Sequence, residues 1–266
     1  MKIGFIGLGN MGGSLARLVA QDERYRSELL LANRSRDKAE KIAAEVGGQP
    51  VSNEEIFAQA EVIFLGIKPA QFADLLAEYH EVLEERDSLI LVSMAAGLSL
   101  ELLEKLTPSH HRWIRIMPNT PVAVGEGVIT YALSQQANQV DEDLLRELLS
   151  SAGLLVKLEE KQLDAATALA GCGPAFVYLF IEALADAGVR AGLSRDISLE
   201  LANQTLLGAA KLSQISGQHL AQLKDQVCSP AGSTIAGVAS LEENAFRGTV
   251  MAAVQAAYKR TQELGK

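Results

Sequence analysis

The segment Ser229-Pro230-Ala231-Gly232-Ser233-Thr234 lies inside sixteen residues, Gln226 to Leu241, that carry no charged side chain. Ser followed by Pro signals a helix N-cap and first helical position, because Pro lacks the amide hydrogen that would go unpaired there. The sequence therefore predicts a helix opening at Ser229, with the amides from Ala231 to Thr234 as unsatisfied donors at the positive end of its dipole. Such an end receives a carboxylate or a phosphate. An ordinary capped helix is the plainer alternative. A second segment, Gly7-Leu8-Gly9-Asn10-Met11-Gly12, stands between an apolar run and a helical one, which is the setting of a dinucleotide fingerprint. There the first glycine allows the tight turn, the second lets the backbone approach a pyrophosphate, and the third lets helix and strand pack closely.

The end of the next apolar run selects the dinucleotide. It reads Asn33-Arg34-Ser35-Arg36, with no carboxylate to hold a ribose 2′-hydroxyl or repel a 2′-phosphate. Arg34 and Ser35 can neutralise and hydrogen-bond that phosphate, so NADPH is the expected cofactor and NADH the alternative. Three further strand ends run into loops of small residues, Pro and Asn: Ile67-Lys68-Pro69, Ala95-Ala96-Gly97 and Met117-Pro118-Asn119-Thr120-Pro121. Ligands of doubly wound sheets lie across the carboxyl ends of the strands, so these loops are expected to line the same crevice.

Acids and bases are scarce around these segments. Reduction of a ketone calls for a proton carrier near the hydride acceptor. Yet His80, His110, His111 and His219 fall where surface or capping roles are expected, and no Lys or His stands between Gly173 and Ala191. A protonated imine is already electrophilic, so a C=N substrate fits better than a C=O one, with positioning as the main task. The two cysteines, Cys172 and Cys228, form neither a disulfide framework nor a metal cluster, and no metal is expected.

The elements that must position these groups follow from the pattern of the chain. Residues 1–160 alternate apolar strand candidates (Lys2–Gly7, Leu29–Ala32, Val62–Ile67, Leu89–Val92, Trp113–Met117, Val128–Tyr131 and Leu154–Leu158) with amphipathic stretches at Gly12–Val19, Arg36–Val46, Gln71–Leu83 and Asp141–Ser151. That alternation predicts an α/β, Rossmann-type, doubly wound parallel sheet. Residues 161–266 lose the strand signal and read as an all-helical domain, with runs at Gly173–Ala191, Ser194–Ser216, Ser233–Leu241 and Phe246–Leu264. The first part carries 15 Lys/Arg against 24 Asp/Glu and the second 9 of each, so the whole net charge of −9 resides in the first. A charge of that sign argues against nucleic-acid or anionic-membrane partners. The longest charge-free stretch, Ala165 to Ile181, is interrupted by Gly171-Cys172-Gly173-Pro174 and is expected to be a buried helix rather than a membrane span. The chain opens directly into a strand, without a signal-peptide pattern, so a cytoplasmic protein is expected.

At this point the chain resembles the pyrroline-5-carboxylate reductases. The similarity runs through Gly4-Phe5-Ile6-Gly7-Leu8-Gly9-Asn10-Met11, Ile67-Lys68-Pro69, Ala95-Ala96-Gly97, Met117-Pro118-Asn119-Thr120-Pro121 and Gly173-Pro174-Ala175. Its most specific part is Leu223 to Thr234, which is similar to the family's signature. The resemblance implies NAD(P)H-dependent reduction of L-1-pyrroline-5-carboxylate to L-proline, the last step of proline biosynthesis. It implies that Ser229, Gly232 and the amides of Ser233 and Thr234 hold the substrate carboxylate, that the Thr234 hydroxyl bonds the ring nitrogen, and that Asn53 lies by the adenosine half of the cofactor. The C-terminal domain would serve dimerisation, each site drawing its two halves from different subunits, and larger rings of dimers occur in the family. Cys172 and Phe176 depart from the family's Ser and its frequent Tyr. The opening segment also resembles the β-hydroxyacid dehydrogenases, but their catalytic Lys on the helix joining the domains has no counterpart within Gly173–Ala191. A non-catalytic NADPH sensor is a further alternative.

Overall fold

Strand residues of alternating side feed two separate cores in the computed structural model, which describes residues 1–264. The strands are β1 (Ile3–Ile6), β2 (Leu29–Ala32), β3 (Gln49–Pro50), β4 (Val62–Leu65), β5 (Ile90–Ser93), β6 (Arg112–Pro118), β7 (Gly127–Leu133) and β8 (Gly153–Lys157). They form one sheet in the order β3-β2-β1-β4-β5-β6-β7-β8. Ile3, Phe5, Leu29, Leu31, Val62 and Phe64 point to the face covered by helices Asn10–Val19, Arg36–Val46 and Gln139–Leu148. Ile6, Leu30, Ile63, Leu65 and Leu91 point to the other face, where Ile56, Phe57, Phe72 and Leu76 pack. Strands buried on both faces read as continuous apolar runs, which is why they were legible by composition. Phe5 and Phe64 stack face to face with ring centroids 4.7 Å apart.

The sheet departs from the expected all-parallel form at one joint. β7 runs antiparallel to β6, with Ile116 opposite Tyr131. The connection through the short turn Thr120–Val124 explains it, since a parallel return needs a crossover of about a dozen residues or more. β3 is an edge strand of two residues ending in Pro50, too short and too polar to have been expected. The helical stretch expected over Gln71–Leu83 is divided into Phe72–Glu78 and His80–Glu85.

The chain divides into two compact units: Met1–Cys172 joined by the chain from Ala257 onward, and Gly173–Ala256. This division by packing falls inside the long helix that starts at the charged turn near residue 160. The reason is that the first turns of this helix belong to the sheet. Arg115 on β6, 4% exposed, pairs with Glu160 and Asp164 at 3.2 Å each. Leu163 and Ala168 are buried, and Asn119 donates to the Ala170 carbonyl at 3.0 Å.

The second unit is helical throughout, with helices Gly173–Arg190, Arg195–Ser216, Leu220–Val227, Ser233–Glu243 and most of Phe246–Leu264. Gly173–Arg190 and Arg195–Ser216 pack on each other, and Phe180 lies 5.8 Å from Phe246. The expected burial of the first of these is not found within the chain. Ala185 is its sole buried residue, while Tyr178, Leu179, Leu207, Ile215 and Met251 in this unit are exposed. The interruption at Gly171-Cys172-Gly173-Pro174 does not end the helix either, because a π-helical turn at Thr167–Gly171 carries it on. The continuous helix Glu160–Arg190 is thus long and apolar enough to cross a membrane by length and composition. An apolar helical surface of this extent requires a partner.

Candidate active site

Two helix starts leave backbone donors without a side-chain cap, one in each unit. In the first, β1 is followed by Gly7, which has φ +91° and whose added Cβ would stand 2.6 Å from the Gly66 carbonyl oxygen. At Gly12 a Cβ would collide with the Gly7 carbonyl, so the helix packs directly on the turn. Gly9 is different, because a Cβ there would meet no protein atom within 4 Å. The space beside it is the cleft itself. Gly9 also caps the helix Asn10–Val19 with no side chain, and no acidic residue occupies the first turn, so the amides of Asn10 and Met11 face an uncapped, positive helix end.

The cleft has a volume of about 560 Å³ and is lined by Gly7, Gly9, Asn33, Arg34, Asn53, Ile67 and Lys68 among the residues expected from the sequence. The fold brings these together because β2, β1 and β4 are neighbours in the sheet. Asn33 also has a structural task, since its Oδ1 accepts the Leu8 amide at 3.0 Å and its Nδ2 donates to the Ser35 carbonyl at 3.2 Å. Leu8 is therefore spent on shaping the turn, with its amide bonded and its side chain wholly buried. Arg36 pairs with Glu40, whereas Arg34 and Lys68 make no ion pair among the described residues. Uncapped amides, an open site beside Gly9 and two unpaired cations fit a dinucleotide phosphate.

The other expected residues sit less directly. Ser35 caps the helix Arg36–Val46 without a side-chain bond, and Pro69 opens the short turn Pro69–Gln71 after Lys68. Ala95, Ala96 and Gly97 follow β5, with Ala95 buried. Asn119 is 7% exposed, and its side-chain amide donates to Ala170 and accepts the Val128 amide at 2.8 Å. These bonds shape the end of β6 and use one of its two N–H donors. Sequence reasoning missed another part of the cleft wall: Gln71, Asp74, Leu75 and Glu78 line it too. Their spacing, at one helical face following Lys68-Pro69, was the available signal.

In the second unit the helix begins at Ser233, with Gly232 as N-cap, and not at Ser229. Ser229-Pro230-Ala231-Gly232 closes as a turn instead, its Gly232 amide donating to the Ser229 carbonyl at 3.0 Å. Pro in the second place and positive φ in the third are the marks of a type II turn. The third place is usually Gly, but here it is Ala231 at φ +58°. An L-residue held there stores strain of about 1–2 kcal/mol, the kind of cost that collects at functional sites. The Gly232 amide is consequently unavailable to a ligand. The amides of Ser233 and Thr234, at the first positions of a helix with no side-chain cap and no acidic first turn, remain free. Ser229, Ser233 and Thr234 are all exposed.

The histidines take no part in either set. His219 caps Leu220–Val227, accepting the Ala221 amide at 3.2 Å. His111, expected at the surface or a cap, is 1% exposed, with Nδ1 accepting the Leu89 amide and Nε2 bonded to the Leu83 carbonyl. Burial, with the charges of His110, Arg86 and Arg112 against it, pushes its pKa down to about 4. Among the described residues no group of three His, Cys, Asp or Glu is placed to hold a metal.

Comparison with known proteins agrees with both halves. Residues 160–264 match the family model "Pyrroline-5-carboxylate reductase dimerisation", and residues 2–97 match "NADP oxidoreductase coenzyme F420-dependent". The pyrroline-5-carboxylate reductase of Pisum sativum is 44% identical over 98% of this chain and 95% of its own length. That of Synechocystis is 40% identical over 100% and 99%. The crystal structure of the Plasmodium falciparum pyrroline carboxylate reductase, with NADP bound, superposes with a TM-score of 0.90 at 37% identity, covering 100% of this chain and 98% of that one. The chain belongs to the pyrroline-5-carboxylate reductase family.

Proposed function

We infer that the chain carries out the reaction of its family, reducing L-1-pyrroline-5-carboxylate to L-proline with hydride from NADPH, and that Ser229–Thr234 holds the substrate. The observation that carries the substrate assignment is the uncapped helix start at Ser233, set up by a strained turn, in a segment without a single charge. When bound, NADPH supplies a hydride from C4 of its nicotinamide to the imine carbon. Arg34 and Ser35 neutralise and hydrogen-bond its 2′-phosphate, and the helix end at Asn10 and Met11 receives the pyrophosphate. The Ser233 and Thr234 amides, with the Ser229 hydroxyl, pin the substrate carboxylate. The Thr234 hydroxyl bonds the ring nitrogen, which becomes the secondary amine once the imine carbon has accepted hydride. The nitrogen needs no neighbouring acid, because the protonated imine already carries its proton.

The exposed apolar helices support a homodimer, whose second copy would cover the surface of Glu160–Arg190 in place of a membrane. The family's dimerisation segment coincides with that surface. The dimer, its assembly into larger rings and a cytoplasmic location all belong to this proposal. The substrate assignment is tested by Thr234→Ala, for which kcat/KM should fall by about ten- to a hundredfold, the scale of one hydrogen bond to a charged group. An unchanged value removes Thr234 from the mechanism.

A further inference from the structure

The cofactor cleft holds charges of both signs, and they are not paired with each other. Arg34 follows β2 and Lys68 follows β4, on either side of the glycine turn. Asp74 and Glu78 line the same cleft from the helix Phe72–Glu78, one turn apart on a single face. None of the four forms an ion pair among the described residues, although their cleft is one continuous space of about 560 Å³. Opposite charges that share a cleft without meeting address different parts of a ligand. The cations answer phosphates. The carboxylates are acceptors only and repel phosphates, so the part of the ligand beside them must present hydrogen-bond donors.

The apolar groups narrow the choice. Ile67 and Leu75 contribute hydrocarbon to the same lining. Beside Glu78, the phenol of Tyr79 is held above its usual range by burial first and by Glu78 next. A flat heteroaromatic ring with an amino group on its edge suits such a wall. The donor-bearing base of the dinucleotide is adenine, through its 6-amino group.

We propose that Asp74 and Glu78 are specificity-determining residues that select the 6-amino group of the cofactor's adenine. This rests on the reading of the cleft as an NADPH site. A carboxylate accepts from an amino group and is repelled by a carbonyl oxygen in the same place, so the wall rejects a 6-oxo base. Loss of one charge-assisted hydrogen bond is worth about tenfold in affinity.

The test is direct titration of the intact protein, without substrate, with NADPH and with its 6-deamino analogue, in which hypoxanthine replaces adenine. Binding is followed by calorimetry for the natural chain and for the Asp74→Asn, Glu78→Gln and doubly substituted proteins. The natural chain should bind NADPH about tenfold more tightly than the analogue. In the double variant the two affinities should converge, because amides accept from an amino group and donate to a carbonyl equally. Equal affinities in the natural chain, or a preference that survives in the double variant, would overturn the proposal while leaving the NADPH site intact. Failure of NADPH itself to bind would overturn the cofactor reading and this proposal with it.

Discussion

His111 offers the most quantitative test of the physical account. Its Nδ1 accepts the Leu89 amide at 3.2 Å and its Nε2 lies 3.0 Å from the Leu83 carbonyl, so the ring is the neutral tautomer with hydrogen on Nε2. Protonating Nδ1 would place two donors face to face in a site 1% exposed. Above pH 6.5 the ring is neutral in both the folded and unfolded chain. Below 6.5 the unfolded chain binds a proton that the folded one refuses until about pH 4, so stability is lost as pH falls through this window. At 1.36 kcal/mol per pH unit the loss amounts to about 3 kcal/mol. His111→Gln keeps a donor and an acceptor but cannot titrate. Urea unfolding followed by circular dichroism, at one fixed protein concentration and a series of pH values, gives the comparison. The variant should lose about 3 kcal/mol less than the natural chain between neutral pH and 4, whatever its stability at neutral pH. Parallel curves for the two proteins would refute the argument. Because this imidazole touches no reacting group, the pH profile of kcat/KM over the range where both remain folded should be the same for both.

Arg34→Ala should raise the KM for NADPH by about tenfold and leave that for NADH nearly unchanged, as expected for one charge-assisted phosphate contact. Equal effects on the two nucleotides would separate Arg34 from the 2′-phosphate. Sedimentation at micromolar concentration should show at least a dimer, since Leu179, Leu207, Ile215 and Met251 cannot all remain in water. A monomer would contradict the account of the helical unit.

Much of this architecture was legible in the residues. Seven of the eight strands were marked by apolar runs, most plainly β1, β2, β4 and β5, whose residues are all buried and leave no position for polar alternation. The helices Arg36–Val46 and Phe246–Leu264 have the bounds their patterns gave. The reversed strand β7 was not legible, since an apolar run has no direction and only the brevity of the Thr120–Val124 connection betrays it. Nor was the true start of the helix at Ser233. Ser229-Pro230 carries the local chemistry of a helix start and of a turn alike, and only the left-handed Ala231 decides between them. The residues of the glycine turn were legible, whereas Asp74 and Glu78 went unnoticed until the fold put them on the wall of the same cleft as Arg34. The apolar character of Gly173–Arg190 led to an expectation of burial that the chain by itself does not meet, Ala185 being the one buried residue of that helix.

The central claim is hydride transfer from NADPH to a cyclic imine held by its carboxylate. It is tested most directly by mixing the protein with NADPH and L-1-pyrroline-5-carboxylate, following the nicotinamide absorbance and identifying the product. The account predicts that absorbance falls in step with the appearance of L-proline, one for one. A flat trace from protein that demonstrably binds NADPH would contradict it and leave a sensor of the cofactor in its place.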